Sequence, residues 1–393
     1  MIIPENIIYV LDTLTGKGFE AYMVGGSVRD MVMGKEPSDF DITANALPEE
    51  IIECFEGKKM VLSGMKHGTV APIINHEAIE ITTYRVDGEY KDSRRPEEVF
   101  FTRSLREDLK RRDFTVNAMA MDKNFNIIDP YDGRADIENK VIRCVGEAEK
   151  RFSEDALRIM RGLRFSSVLG FSIEEETKNA ILKLYPLLSN IAKERIFTEL
   201  KKLVTGENAG KILSDYKDVF LFIMPLLSSI TENKFFENAK KVKGDLATAF
   251  GILFDGLTPE DSGKILSSLK SDNALKTAVT SLIKDKNEDI LTEVALKNYL
   301  RERADEDAER LIEYKYCLGL ISEEEKNEAR KILSSLKGAC IRIKDLDIKG
   351  SDLVNMGFEG SKIGVALEAL LSAVIEKKCE NTKTELLEYV KKL

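Results

Sequence analysis

Met23-Val24-Gly25-Gly26-Ser27-Val28-Arg29-Asp30, followed by Ser38-Asp39-Phe40-Asp41-Ile42, is the stretch whose reading settles the fold. Its first part reads as a strand, a tight Gly-Gly turn and a short helix. Glycine lets a backbone come close to a ligand, and a helix N-terminus offers free N–H groups to a phosphate; the same pattern also describes an ordinary strand-to-helix turn. In the second part, an extended strand would point positions i and i+2 to one face, so Asp39 and Asp41 would project side by side. Adjacent carboxylates repel unless a cation lies between them, and hard oxygens suit Mg²⁺, which commonly takes one or two carboxylates together with substrate phosphates. Alone, D-x-D equally describes exposed turn aspartates. Its position after the Gly-Gly turn makes it specific.

Around this stretch, residues 1–146 mix β-rich runs with helical pieces: 21–24, 40–43, 69–74 and 78–84. In the last run Ile79, Ile81 and Thr83 alternate with Glu80, Thr82 and Tyr84, which predicts a strand with one buried face. Pro48 followed by Glu49 and Glu50 predicts the start of a helix. After residue 147 the β signal nearly ends. Segments 153–169, 174–188, 191–204, 262–270, 292–314, 323–337 and 362–378 carry helical spacing of apolar residues, with breaks near Gly206, Pro225, Gly256, Gly338 and Gly350. The acidic stretch Arg301–Arg330 reads as a solvated helical region. The expected fold class is α+β: a head with a small mixed sheet over 1–146, then an all-α neck at 147–205, body at 206–303 and tail at 304–393.

Composition bounds the function. The 393 residues carry Lys+Arg 59 against Asp+Glu 68, a net charge of −9, and 43% of them are hydrophobic. That is an ordinary globular mix, unlike a disordered chain or a uniformly basic nucleic-acid coat. Cys54, Cys144, Cys317, Cys340 and Cys379 are odd in number and scattered, with no C-x-x-C, so neither a disulfide framework nor a cysteine zinc site is expected. The start lacks a basic segment ahead of an apolar run, and no apolar stretch approaches the roughly 20 residues of a spanning helix. The expectation is a reduced, cytoplasmic protein with no membrane partner.

The motifs carry a resemblance. GGSVRD and SDFDIT are similar to the nucleotidyltransferase signature of the polymerase-β-like superfamily. Arg111-Arg112-Asp113-Phe114-Thr115-Val116-Asn117-Ala118 resembles the RRDFT-x-NA segment of its tRNA nucleotidyltransferase and poly(A) polymerase branch. The run from Arg151 to Phe165 resembles the RF-x-EDALR-x-x-R-x-x-RF helix of that branch. The match is nearly continuous from Ala21 to Phe171 and is closest to bacterial class II CCA-adding enzymes; the tail, at 349–353, 360–364 and 381–387, echoes the same pattern.

The resemblance implies Mg-dependent nucleotidyl transfer: addition of the 3′ C-C-A end of tRNA from CTP and ATP without a template. Asp39 and Asp41 match the metal ligands, Glu80 is the candidate third carboxylate, and Gly26, Arg29, Arg112 and Asp113 match nucleotide-binding positions. Asp155 and Arg158 are three apart and would share one helical face. The spacing is equally that of a plain ion pair. As a reading pair, the carboxylate accepts from the exocyclic amino group of cytosine or adenine and the guanidinium donates to a ring acceptor, which excludes uracil and guanine. Arg161 and Arg164 continue toward nucleotide or phosphate contacts, or else steady neighbouring carboxylates. The polar loop Val86–Pro96 resembles the flexible loop of CCA- and A-adding members. No His follows His76, so the histidine-aspartate phosphohydrolase domain of some relatives is not expected. An A-adding enzyme with a separate CC-adding partner, or a poly(A) polymerase, are the alternatives. Charge is divided accordingly: residues 1–90 hold 7 basic against 15 acidic residues, whereas 140–164 hold 7 against 4, so modest, salt-sensitive tRNA affinity from a local surface is expected.

Overall fold

The computed structural model describes residues 2–88 and 99–392; the loop read at 86–96 therefore lies, from Glu89 onward, outside the described residues. The chain separates into two compact units, Met1–Pro225 and Leu226–Leu393.

The first unit opens with α1 (Glu5–Gly16), whose Ile7, Val10, Leu11 and Leu14 recur at helical spacing and are buried. There follow β1 (Ala21–Val24), α2 (Gly26–Val32), β2 (Asp41–Ala44), α3 (Pro48–Cys54), β3 (Met60–Val61), β4 (Thr69–Ile74), β5 (Glu77–Ala78) and β6 (Ile81–Thr83). Next come β7 (Arg85–Asp87), β8 (Val99–Phe101), α4 (Leu105–Lys110), β9 (Ala120–Met121) and β10 (Ile127–Ile128). One sheet runs in the order β10-β9-β1-β2-β6-β4-β3, with β5 against β4. It is mixed: β2 and β6 are parallel, pairing Ile42 with Ile81, whereas β1 and β2 are antiparallel and pair Val24 with Asp41. That register sets the Gly-Gly turn, which leaves β1 at Val24, beside the first residue of β2.

Several expectations are met residue by residue. The runs 21–24 and 69–74 are β1 and β4, and α3 begins at Pro48 with the Glu50 carboxylate accepting the Leu47 N–H at 2.6 Å. Others need correction. Residues 78–84 are not one strand: pairing switches from β5 to β6, and Tyr84, expected on the open face, is fully buried with its hydroxyl 3.5 Å from Glu20 Oε2. The D-x-D is only half on a strand, because Asp39 precedes β2.

The helical remainder of this unit starts at α5 (Gly133–Glu138) and the short β11 (Val141–Ile142), then α6 (Ala148–Glu154) and α7 (Leu157–Leu169). The helix expected to run unbroken through 153–165 is two helices, because Asp155 takes extended backbone angles (φ −139°, ψ 102°). β12 (Ser172–Ile173) pairs with β11, and α8 (Glu175–Leu184), α9 (Lys193–Val204), α10 (Ala209–Asp215) and α11 (Lys217–Ile223) follow. α9 packs along α7 and buries Ile196, Phe197, Leu200 and Leu203.

The second unit is entirely helical: α12 (Glu232–Lys241), α13 (Leu246–Leu253), α14 (Pro259–Ser268), α15 (Asn273–Lys284), α16 (Glu293–Leu300), α17 (Asp305–Leu318), α18 (Glu323–Ser335), α19 (Gly350–Asn355), α20 (Ser361–Ile375) and α21 (Lys383–Val390). α17 corrects the reading of 301–330 as a solvated region. Its acidic residues crowd the first turn, but Ala308, Leu311, Ile312, Tyr314 and Cys317 form a buried stripe packed against α13 and α18. Residues 346–390 carry a core of their own around Leu353, Leu370, Leu371, Ile375 and Leu386. Among the described residues no helix is long and apolar enough to cross a membrane.

Within this unit the Asp255 carboxylate is 2% exposed and lies 2.6 Å from both Lys234 Nζ and Lys286 Nζ. Burial opposes its charge, but the two ammonium groups outweigh it and hold the carboxyl below its ordinary value. A lowered folded pKa contributes stability above the unfolded pKa and loses it as pH falls through the folded one. Asp255→Asn should therefore destabilise this unit by about 3 kcal/mol at pH 7. In denaturant melts the gap to the parent should close on acidification below about pH 4; a gap that persists at acid pH would refute the ion-pair account.

Candidate active site

Between the Gly-Gly turn, the start of β2, the segment after α4 and the N-terminal half of α7 lies a pocket of about 410 Å³. It is lined by Gly26, Arg29, Asp41, Arg112, Asp113, Asp155, Arg158 and Arg161, eight of the eleven residues expected from sequence. Four more line it that sequence reasoning did not single out for the site: Gly25, Arg111, Asn117 and Phe165.

The turn shows why glycine stands there. Gly25 has φ +74°, and a Cβ at this position would lie 3.1 Å from Arg112 Nη1 and 3.7 Å from Asp41 Oδ2. A positive φ and a close approach thus coincide, and Arg112 and Asp41 both come up to the same side of the Gly25 backbone. The Asp41 carboxyl is raised above its ordinary value, by burial first and by the neighbouring Asp39 charge, against the pull of Arg112. A carboxylate in that state gains from a cation. Among the described residues no group of three His, Cys, Asp or Glu side chains is gathered for a metal; Asp41 and Glu80 directly precede Ile42 and Ile81, the first paired residues of the parallel β2–β6 ladder. Glu80 is exposed one residue before β6, and its backbone carbonyl accepts the Ile42 N–H at 3.1 Å. Asp39 is likewise exposed, outside the lining.

Asp113 is the hub of the inner wall. Its Oδ2 accepts from Arg161 at 2.6 Å, and its Oδ1 from the Phe114 N–H at 2.9 Å and from Asn117 Nδ2 at 3.5 Å. Asn117 in turn accepts from Arg29 Nη1 at 2.8 Å, and Arg29 forks onto Asp30. Burial disfavours the Asp113 charge, yet Arg161, Arg158 and the hydrogen bonds overcome it and keep the carboxyl below its ordinary value. The same carboxylate holds Arg161 firmly protonated. Phe165 sits under this wall with the Arg164, Arg29 and Arg161 guanidinium carbons 3.7, 5.3 and 5.4 Å from its ring centre, which places three cations around one aromatic ring.

The Asp155–Arg158 pair takes a form that its spacing did not foretell. Asp155 sits in the break between α6 and α7, with Oδ1 accepting the Leu157 N–H at 3.0 Å and Oδ2 accepting from Arg195 of α9 at 3.4 Å. Arg158 is buried, its Nη1 donating to Glu154 at 2.9 Å and to the Arg151 carbonyl at 3.1 Å, its Nη2 to the Arg111 carbonyl at 3.0 Å. Each side chain is fixed by its own partners. Arg164 turns away: its Nε lies 2.5 Å from Glu199, and it lines a separate cavity with Lys202 and Thr205. Glu199, a buried acceptor for Arg164 that also pairs with Arg161 at 3.8 Å, had no local signal, since it comes from a helix some 35 residues downstream.

Known proteins are similar to this chain in sequence and fold. Residues 21–143 match the family model described as "Poly A polymerase head domain", 170–227 that described as "Probable RNA and SrmB- binding site of polymerase A", and 244–390 that for "tRNA nucleotidyltransferase domain 2". The CCA-adding enzyme of Geobacillus thermodenitrificans is 51% identical over 209 residues, a match covering 53% of this chain and 51% of the relative, so it spans about half of that relative's length. The CCA-adding enzyme of Staphylococcus haemolyticus is 36% identical over 97% of this chain and 96% of its own. The crystal structure of the Bacillus stearothermophilus CCA-adding enzyme in complex with CTP superposes with a TM-score of 0.78 at 29% identity, covering 100% of this chain and 98% of that one. Similarity that runs end to end at this level is a family relation, and this chain belongs to the CCA-adding enzymes of the tRNA nucleotidyltransferase and poly(A) polymerase family.

Proposed function

We propose that this protein adds the 3′-terminal C-C-A sequence to tRNA from CTP and ATP, without a nucleic-acid template, in the cytoplasm. The carrying observation is the single pocket that gathers Asp41, the Gly25–Gly26 turn, Arg112, Asp113, Asp155 and Arg158, in a chain of the CCA-adding family. In the reaction the tRNA 3′-hydroxyl attacks the α-phosphorus of the triphosphate, a new P–O bond forms, and the bond to the bridging oxygen breaks to release pyrophosphate.

Asp39 and Asp41 are the residues that would hold Mg²⁺; the raised carboxyl of Asp41 beside a second carboxylate fits a hard cation. A bound Mg²⁺ would supply charge neutralisation at the attacking and leaving oxygens. Arg29 and Arg112 flank the Gly-Gly turn as donors for the nucleotide, and Asp113 keeps Arg161 protonated and in place. Asp155 and Arg158 supply the choice of base. Each Asp155 oxygen already accepts one hydrogen bond and retains capacity for a second, so it takes an amino group and rejects a carbonyl. Arg158, locked by three acceptors, presents a guanidinium whose place does not depend on the ligand. The head at 1–146 and neck at 147–205 would carry this chemistry, while the body and the tail at 304–393 would hold tRNA.

Two measurements test the proposal. Transfer RNAs ending before C, after C and after CC, each offered single triphosphates, should accept C, C and A respectively, as read by sequencing the products. Failure to add C to the first substrate refutes CCA addition, and A addition alone would identify an A-adding enzyme. Asp41→Asn should lower Mg²⁺-dependent incorporation by about 10²–10³-fold or more and leave tRNA binding intact. Retained incorporation would dismiss the metal assignment.

A further inference from the structure

The pocket wall is held from behind by a carboxylate outside every motif quoted above. Asp108, on the last turns of α4, is 0% exposed. Its Oδ1 accepts from Arg111 Nε at 3.0 Å and Nη2 at 2.9 Å, and from the Arg85 backbone N–H at 3.2 Å. Its Oδ2 lies 3.4 Å from Thr43 Oγ1 and 3.6 Å from Arg112 Nη2. One buried anion therefore meets α4, both arginines after it, β7, and β2 two residues beyond Asp41. Arg111 and Arg112 are adjacent cations that repel each other, and burial also weighs on the Arg112 charge. Arg112 Nε has no hydrogen-bond partner within the protein, and its Nη1 stands against the Gly25 turn. Among the carboxylates around it, Asp108 attracts its charge most strongly, ahead of Asp41 and Asp113.

We propose that Asp108 is a positioning residue for nucleotidyl transfer: it neutralises Arg111 and fixes the Arg112 guanidinium at the Gly25 turn, beside Asp41, for the triphosphate of either substrate. The inference rests on the nucleotidyl-transfer reading above and adds to it. Asp108 touches no substrate, and its effect passes through Arg112. Because that effect concerns the part common to CTP and ATP, it differs from anything done at Asp155 or Arg158, which face the base.

The test is steady-state incorporation by the full chain, with CTP on tRNA lacking C-C-A and ATP on tRNA ending in CC, at saturating tRNA and Mg²⁺. Asp108→Asn keeps the shape and removes the charge. It should raise KM for both triphosphates about tenfold, change kcat less than about threefold, and leave discrimination against UTP and GTP as in the parent. A folded variant with unchanged KM and only a lower melting temperature would make Asp108 structural and overturn the proposal, as would a change confined to one of the two nucleotides. Should that variant not fold, Asp108→Glu keeps the charge and displaces it by one methylene. The same rise in KM is then expected, and an unchanged KM again overturns the proposal. A parent protein that incorporates neither nucleotide would instead count against the nucleotidyl-transfer reading itself.

Discussion

The ion pair between Asp113 and Arg161 joins the sheet-bearing part of the first unit to its long helix α7, and the rest of the pocket depends on it. A carboxylate as buried as Asp113 is stable as an anion only when it is paired and hydrogen-bonded, and Arg161, 35% exposed, supplies the pair. The structure meets that condition by extension: Asn117 links Asp113 to Arg29, Glu199 accepts from Arg164 and pairs with Arg161, and the guanidinium carbons of Arg29, Arg161 and Arg164 surround the Phe165 ring. A wall so rich in arginine would repel itself in an apolar setting. Interleaving carboxylates with cations, as Asp41, Asp113 and Asp155 do among the five arginines that line the pocket, offsets that repulsion.

The same logic explains how a protein with net charge −9 carries a pocket lined by five arginines. Acidic residues here are largely structural counter-ions placed behind the arginines. Asp108, Asp113 and Glu199 are all buried, and each holds at least one arginine. In the second unit Asp255 and Asp285 do the corresponding work with Lys234, Lys286 and Arg303. Charge summed over the chain therefore says little about any one surface.

Local pattern made much of this legible. The strands at 21–24 and 69–74 and the proline-led start of α3 follow from local composition and capping chemistry, while eight of the pocket residues were legible through the family resemblance that their motifs carry. What was illegible depends on distant partners. No glycine or proline marks the break at Asp155; it coincides with a contact from Arg195, 40 residues later. Tyr84 is buried because its chain leaves β6 toward β7, a turn that strict alternation cannot foresee. Acidic content likewise misled over 301–330, where the apolar stripe of α17 outweighs the charges on its first turn.

The break between α6 and α7 gives the two candidate base-reading residues unequal freedom to evolve. Asp155 stands in extended backbone outside either helix, so replacing it carries no helix-propensity penalty and disturbs two hydrogen bonds. Arg158 is buried within α7 and satisfies Glu154 and two backbone carbonyls from separate segments, so its loss would strand several acceptors together. Drift or engineering of nucleotide preference in this scaffold would accordingly enter through position 155, while position 158 remains an anchor that the surrounding fold holds constant.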